Sequence, residues 1–170
     1  MDYLFVGAGT TGTLMGCVRR FREKSPATEI VAVDAAGSVT FGFAAGPRRI
    51  PGLGTSLRPP LYDPVGVDSV ILIEEFDAIE TCRTLAATYG LLVGGSTGSV
   101  LAAVRRYATQ IPRGSTVVAI SPDLGDRYID MIYDDKWVQK NYGQPPGDCS
   151  RKASVAPEPD LSRTDCPAAS

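Results

Sequence analysis

The sequence predicts an α/β protein: a three-layer, mostly parallel sheet flanked by helices. Three observations carry this. Strand-like and helix-like segments alternate from Tyr3 to Ile120. The strand-like segments are runs of consecutive apolar residues, the pattern of a parallel sheet covered on both faces. Two glycine- and hydroxyl-rich turns, Gly7-Ala8-Gly9-Thr10-Thr11-Gly12-Thr13 and Gly94-Gly95-Ser96-Thr97-Gly98-Ser99, each follow an apolar run and open a helix. In such sheets ligands bind beyond the carboxyl ends of the strands, so both turns can serve one ligand.

Tyr3-Leu4-Phe5-Val6 is the first strand. A helix over 13–23 follows, with Leu14, Val18 and Phe21 at helical spacing and Arg19, Arg20 and Arg22 facing outward. Ile30-Val31-Ala32-Val33-Asp34 is the second strand. Residues 35–64 are rich in Gly and Pro and hold neither period, and a loop of this length inside a compact domain is usually functional. Ser69-Val70-Ile71-Leu72-Ile73 is the third strand. Asp77 reads as the N-cap of the next helix, with Glu80 completing a capping box. Ile79, Cys82, Ala86 and Tyr89 line its apolar face, and Gly90 suits its C-terminus. The second turn launches a helix through Val100, Ala103, Val104 and Tyr107. Thr116-Val117-Val118-Ala119-Ile120 is a further strand, ending at Ser121-Pro122-Asp123. From Gln144 the composition shifts to Pro, Ser, Asp and Ala, so 1–143 is expected to be the folded domain and 144–170 a disordered tail.

Composition narrows the function. A chain of 170 residues with 44% hydrophobic content can bury one sizeable core. The net charge of -2 includes no block of like charge, which argues against nucleic acid as a partner. With neither a basic n-region nor an apolar run long enough to span a bilayer, no membrane partner is expected and the expected location is cytoplasmic. Cys17, Cys82, Cys149 and Cys166 share no CxxC spacing and read as two buried and two tail thiols, with no metal site or disulfide framework. The absence of histidine removes the commonest metal ligand and the usual base of a hydrolytic triad.

The first turns of both helices present amides without intrahelical partners at the positive end of the dipole, which suits a phosphate. Gly7-x-Gly9-x-x-Gly12, with Asp34 closing the next strand, also satisfies the dinucleotide fingerprint, with Asp34 as the acid for a ribose hydroxyl. Alternatively the hydroxyls of Thr10, Thr11 and Thr13 serve a single terminal phosphate, or the glycines merely allow close strand–helix packing. Ser96 is either a ligand hydroxyl that meets a ring nitrogen without forcing a charge on it, or a plain helix cap. Gly94, Gly95 and Gly98 would let backbone approach a flat ring.

Taken together, Gly-x-Gly-Thr-x-Gly-Thr, then Asp34-Ala35-Ala36-Gly37-Ser38, then Arg49-Ile50-Pro51-Gly52-Leu53-Gly54, then Gly90-Leu91-Leu92-Val93-Gly94-Gly95-Ser96-Thr97-Gly98-Ser99 resemble the cysteine synthase and cystathionine β-synthase family of fold-type II pyridoxal phosphate enzymes. The resemblance runs from about Leu4 to Trp137 and implies the large domain of that fold. Within the family, residues 34–42 and 50–56 look most like the synthases that begin 2,3-diaminopropionate biosynthesis for siderophores and peptide antibiotics. Those enzymes join O-phospho-L-serine to L-glutamate, giving N-(2-amino-2-carboxyethyl)-L-glutamate. By position, the family's phosphate loop falls on Gly9, Thr10, Thr11, Gly12 and Thr13, and its pyridine-nitrogen serine on Ser96. Thr11 replaces a commoner glycine, a departure that requires backbone angles suited to a residue with a side chain. The implied cofactor is pyridoxal 5'-phosphate, the implied chemistry β-replacement, and the implied substrates small amino acids.

The family's Schiff-base lysine and asparagine-bearing substrate loop lie upstream of the phosphate loop and are expected to be absent from this sequence. Lys24, Lys136, Lys140 and Lys152 read as solvated surface charges. This chain alone is therefore expected to be inactive. It would be a fragment of a longer enzyme, a subunit completed by a complementing chain or in a homodimer, or a binding remnant. Leu53, Leu57 and Leu61 are candidates for an exposed apolar patch. The rival readings are a cysteine synthase fragment using a thiol, a nicotinamide-binding domain using Gly7, Gly9, Gly12 and Asp34, and a ligand-free interaction module.

Overall fold

The computed structural model describes residues 1–143. The tail expectation for 144–170, with Cys149, Cys166 and Lys152, lies outside the described residues.

Four strands form one parallel sheet, β1 (Tyr3–Gly7), β2 (Glu29–Ala35), β3 (Ser69–Ile73) and β4 (Val117–Ala119), in the order β3-β2-β1-β4. Helix α1 (Gly12–Lys24) joins β1 to β2, while α2 (Glu75–Tyr89) and α3 (Gly95–Tyr107) carry the chain from β3 back across the sheet to β4. A 3-10 turn (Gly125–Tyr128) and α4 (Asp135–Tyr142) follow. In register, Phe5 of β1 stands beside Val31 of β2 and Ala119 of β4.

Alternation along the strands sorts side chains to two faces. Leu4, Val6, Ile30 and Ala32 pack on Leu14 and Val18 of α1. Phe5, Val31, Val33 and Ile73 pack on Ala78 of α2 and on Val100, Ala102 and Ala103 of α3. Fully burying each large apolar side chain contributes about 1.5–3 kcal/mol, whereas an exposed pair such as Arg20–Glu23 is worth about 0–1 kcal/mol. The core on the α1 face, more than any surface ion pair, therefore holds α1 in place. A third cluster, with Ile50, Ile79, Cys82, Val93, Tyr128, Ile132 and Val138, joins α2 to the long loop and the C-terminal segment.

Four expectations are corrected. Helix α2 begins at Glu75, and Asp77 lies inside its first turn, accepting from Arg106 Nη2 at 2.8 Å instead of capping. Tyr89 points to solvent, since α2 buries its apolar face at Ala78, Ile79 and Cys82, before its last turn. Arg22 is half-buried: it donates to the carbonyls of Pro26, Thr28 and Gly66 and pairs with Asp68, tying the end of the long loop to the start of β2. Leu53 is buried, whereas Leu57 and Leu61 are exposed. The predicted left-handed cap is present at Gly90, with φ 67°. Burial pushes the Cys82 thiol up to about 12, and the half-buried Cys17 thiol is also raised by burial. Among the described residues no helix is long and apolar enough to cross a membrane.

Candidate functional site

The sheet reverses direction at β1: the chain moves outward through β2 and β3, then returns to place β4 on the other side. At such a switch point the loops beyond adjacent strands diverge and leave a crevice. Here it is a cleft of about 470 Å³, whose walls include Gly7 at the end of β1 and Ile120, Pro122 and Asp123 beyond β4. Gly9, Thr10, Thr11, Gly12, Thr13 and Ser96 all line this one cleft, so the structure brings the two turns together.

The first turn is shaped by what lies against it. A Cβ on Gly9 would stand 2.8 Å from the carbonyl oxygen of Gly52, and one on Gly7 would stand 2.8 Å from Leu53 Cδ2. Thr11 precedes α1 with φ 66° and ψ 1°, the one non-glycine residue in the left-handed region among the described residues. Its backbone does not suit a β-branched side chain, contrary to what the substitution for glycine required. The Thr11 hydroxyl is also buried without a hydrogen-bond partner and does not cap the helix. One residue thus combines backbone strain with an unmet polar group, a pairing expected where a ligand completes the site.

The second turn differs from its reading in sequence. Its glycines face protein: Gly94 lies against the Asp123 carboxylate, Gly95 against Ile50, and Gly98 against the Ala78 carbonyl and Cys82 Sγ. They permit close packing of α3 and do not open its backbone to a ring. Gly94 is the N-cap, which excludes the plain-cap role for Ser96. Ser96 is only 4% exposed, lines the cleft and makes no side-chain hydrogen bond among the described residues. The Thr97 hydroxyl instead bonds Ser121 Oγ at 2.8 Å, tying α3 to the segment after β4.

The long loop supplies a part of the site that its sequence does not mark as ligand-facing. Gly54 N donates to Ala8 O at 2.9 Å, and Gly52, at φ 114°, places its Cα where a side chain would strike Ser96 Oγ. Gly52 and Leu53 therefore form a bridge between the turns. The signal for them was the Pro-Gly-Leu-Gly spacing within a loop too long to be idle. Asp123 was also missed. Its Oδ2 accepts from Tyr128 at 2.6 Å, while Oδ1 is buried against Gly94 without a partner. Burial, reinforced by this bond, pushes the Tyr128 phenol up to about 12.

Asp34, the dinucleotide acid, is not in the cleft wall. It is fully buried, accepts from the Ala35 amide at 2.9 Å, and has its carboxyl group raised by burial. No carboxylate stands ready there for a ribose.

A doubly wound sheet with a switch-point cleft between two helix N-termini that lack side-chain caps defines an α/β domain of the kind whose cleft suits a phosphate-bearing ligand. The chain belongs to the pyridoxal-phosphate dependent enzyme family, whose model matches residues 1–123. It is 42% identical over 139 residues to N-(2-amino-2-carboxyethyl)-L-glutamate synthase of Ralstonia nicotianae, covering 82% of this chain and 41% of that protein. Among solved structures it is similar to the O-acetylserine dependent cystathionine β-synthase of Helicobacter pylori, with a TM-score of 0.73 and 34% identity over 79% of this chain and 44% of that one. It is also similar to O-ureido-L-serine synthase, with a TM-score of 0.73 and 30% identity over 81% and 46% of the two chains. The chain spans less than half the length of each of these relatives.

Proposed function

We propose that this chain is the cofactor-holding part of a pyridoxal phosphate dependent β-replacement enzyme that joins O-phospho-L-serine to L-glutamate. The product would be N-(2-amino-2-carboxyethyl)-L-glutamate. The observation that carries the cofactor reading is the buried, unpartnered Thr11 hydroxyl in a strained turn at the mouth of α1, on the same cleft as the free Ser96 hydroxyl. These residues fit the group. A phosphate gives the Thr11 hydroxyl and the first amides of α1 the acceptors they lack, and Thr10 and Thr13 line the same wall. Ser96 would meet the ring nitrogen as a neutral hydroxyl, which does not favour its protonation as a carboxylate would. Gly52 and Leu53 line the cleft between them.

When bound, pyridoxal phosphate supplies the electron sink that β-replacement needs. The chain's own residues bind the phosphate, orient the ring and exclude water from it. Lys24 pairs with Glu23 at the far end of α1, Lys136 and Lys140 lie on α4, and none of the three lines the cleft. The amine that moves protons on the substrate is accordingly assigned to polypeptide beyond the described residues, in a longer chain or a complementing subunit. The choice of glutamate as nucleophile rests on the similarity to the Ralstonia synthase. A thiol nucleophile is the second reading, favoured by the fold match to a cystathionine β-synthase.

Titration of the purified chain with pyridoxal phosphate and, separately, NADH tests the cofactor reading. Thr13→Val should weaken pyridoxal phosphate by about tenfold or more, the effect of one lost bond to a charged group. Ser96→Ala should shift the absorbance of the bound ring while the fold stays intact. Binding of NADH, or pyridoxal phosphate binding indifferent to both changes, would overturn the placement of the site.

A further inference from the structure

We propose that Glu75 is a positioning residue that locks residues 49–54 across the cleft, with Tyr142 of α4 as its buttress. The effect on cofactor affinity rests on the function proposed above; the effect on the loop does not.

The bridge formed by Gly52 and Leu53 belongs to no strand or helix, so something outside it must hold it in place. Glu75, the first residue of α2, does so by accepting two consecutive loop amides on one carboxylate oxygen, Arg49 N at 2.7 Å and Ile50 N at 2.6 Å. Its other oxygen accepts the Tyr142 phenol at 2.8 Å. The Arg49 guanidinium lies over the Tyr142 ring, 5.7 Å from its centroid, so the loop and α4 grip each other on both sides of the carboxylate. Burial and the bond to Glu75 hold the Tyr142 phenol protonated well above its usual range, so it remains a donor.

The clamp reaches the ligand wall by direct packing. Ile50 presses on Gly95, the residue before Ser96, so closely that a Cβ on Gly95 would collide with it. Two residues along, Gly52 sits between Ser96 Oγ and the Cα of Gly9. The gap lined by Glu75, Ile50, Gly95 and Ser96 is only about 10 Å³, room for no more than one water. A close-packed segment of this kind passes displacement on instead of absorbing it. Release of the Arg49 and Ile50 amides would therefore loosen Gly52 against both turns at once.

The test is amide hydrogen exchange and pyridoxal phosphate affinity measured on the full chain for Glu75→Ala, Glu75→Gln and Tyr142→Phe. Exchange at Ile50 and Gly54 should rise at least tenfold in Glu75→Ala, and pyridoxal phosphate should bind at least tenfold more weakly, while β2 amides keep their protection. Glu75→Gln, which retains an acceptor oxygen, should restore most of both. Tyr142→Phe should loosen the loop by a few fold. If Glu75→Ala does not fold, the other two variants decide by the same ranking. Exchange at Ile50 and Gly54 within twofold of the parent in Glu75→Ala, or in Tyr142→Phe where Glu75→Ala does not fold, overturns the proposal, as does a loosened loop with unchanged affinity. Should the parent chain fail to bind pyridoxal phosphate, the proposed function falls, and the exchange ranking alone decides whether Glu75 positions the loop.

Discussion

Replacing Thr11 by glycine should make the free chain more stable and its hold on pyridoxal phosphate weaker. Left-handed backbone costs a residue with a side chain about 1–2 kcal/mol, and Thr11 sits at φ 66°. Its buried hydroxyl without a partner costs about 1–3 kcal/mol more. Glycine removes both, offset by about 0.5–1 kcal/mol for its greater freedom in the unfolded chain. The net gain is about 1–4 kcal/mol, which at about 2–4 °C per kcal/mol raises Tm by about 3–15 °C for a protein of this size. In the complex proposed above the same hydroxyl would donate to a charged group, so its loss should weaken binding by about tenfold to a hundredfold. Thr11→Ala separates the contributions, because it discards the hydroxyl but keeps a Cβ in the left-handed region; its Tm should fall between the other two. Calorimetric melts of the three proteins and a fluorescence titration with pyridoxal phosphate provide the measurements. A Tm for Thr11→Gly at or below the parent's, or an unchanged Kd, would refute the view that this turn is strained for the sake of a ligand.

Three further outcomes follow from the structure. Gly52→Ala drives a Cβ into Ser96 Oγ from a backbone at φ 114°, so it should destabilise the chain by about 1–3 kcal/mol in a thermal melt and abolish saturable pyridoxal phosphate binding. Asp34 has its carboxyl group raised by burial, so the folded state holds its proton more tightly than the unfolded state does. Stability from this group is therefore present at low pH and lost as pH rises from the usual carboxylate value of about 4 through the raised folded value. Asp34→Asn should remove that fall, seen as a flatter plot of Tm against pH. Arg22→Ala strips a donor from three carbonyls and from Asp68 at the end of α1 remote from the cleft. It should lower stability by about 2 kcal/mol in denaturant unfolding while leaving pyridoxal phosphate affinity unchanged.

Much of this molecule could be read before it was folded. Consecutive apolar residues such as Ile30 to Val33 admit few structures other than a strand covered on both faces, and β2 is buried there. The turns at Gly9 and Ser96 announced helix starts because glycine and hydroxyl residues after a strand have that local meaning. The shared cleft also followed from sequence, since both turns lie at carboxyl ends of strands in a parallel sheet. The capping box at Asp77 misled because a good local pattern was overruled: Glu75 starts the helix and uses its carboxylate on the Arg49 and Ile50 amides, twenty-six and twenty-five residues away in sequence.

What the sequence by itself determined was thus the local conformations, the strand–helix alternation and the chemical kinds of donor offered at each turn, all properties set within a few residues of one another. Only the tertiary structure decided which atoms meet: that Gly94, Gly95 and Gly98 serve packing and not a ring, that Asp34 is sealed in the core, that Gly52 spans the two turns, and that Thr11 bears a strained backbone with an unmet hydroxyl. The physical reason is that burial and close approach depend on segments far apart along the chain, and no residue's spacing to its neighbours records the distance to an atom forty positions away.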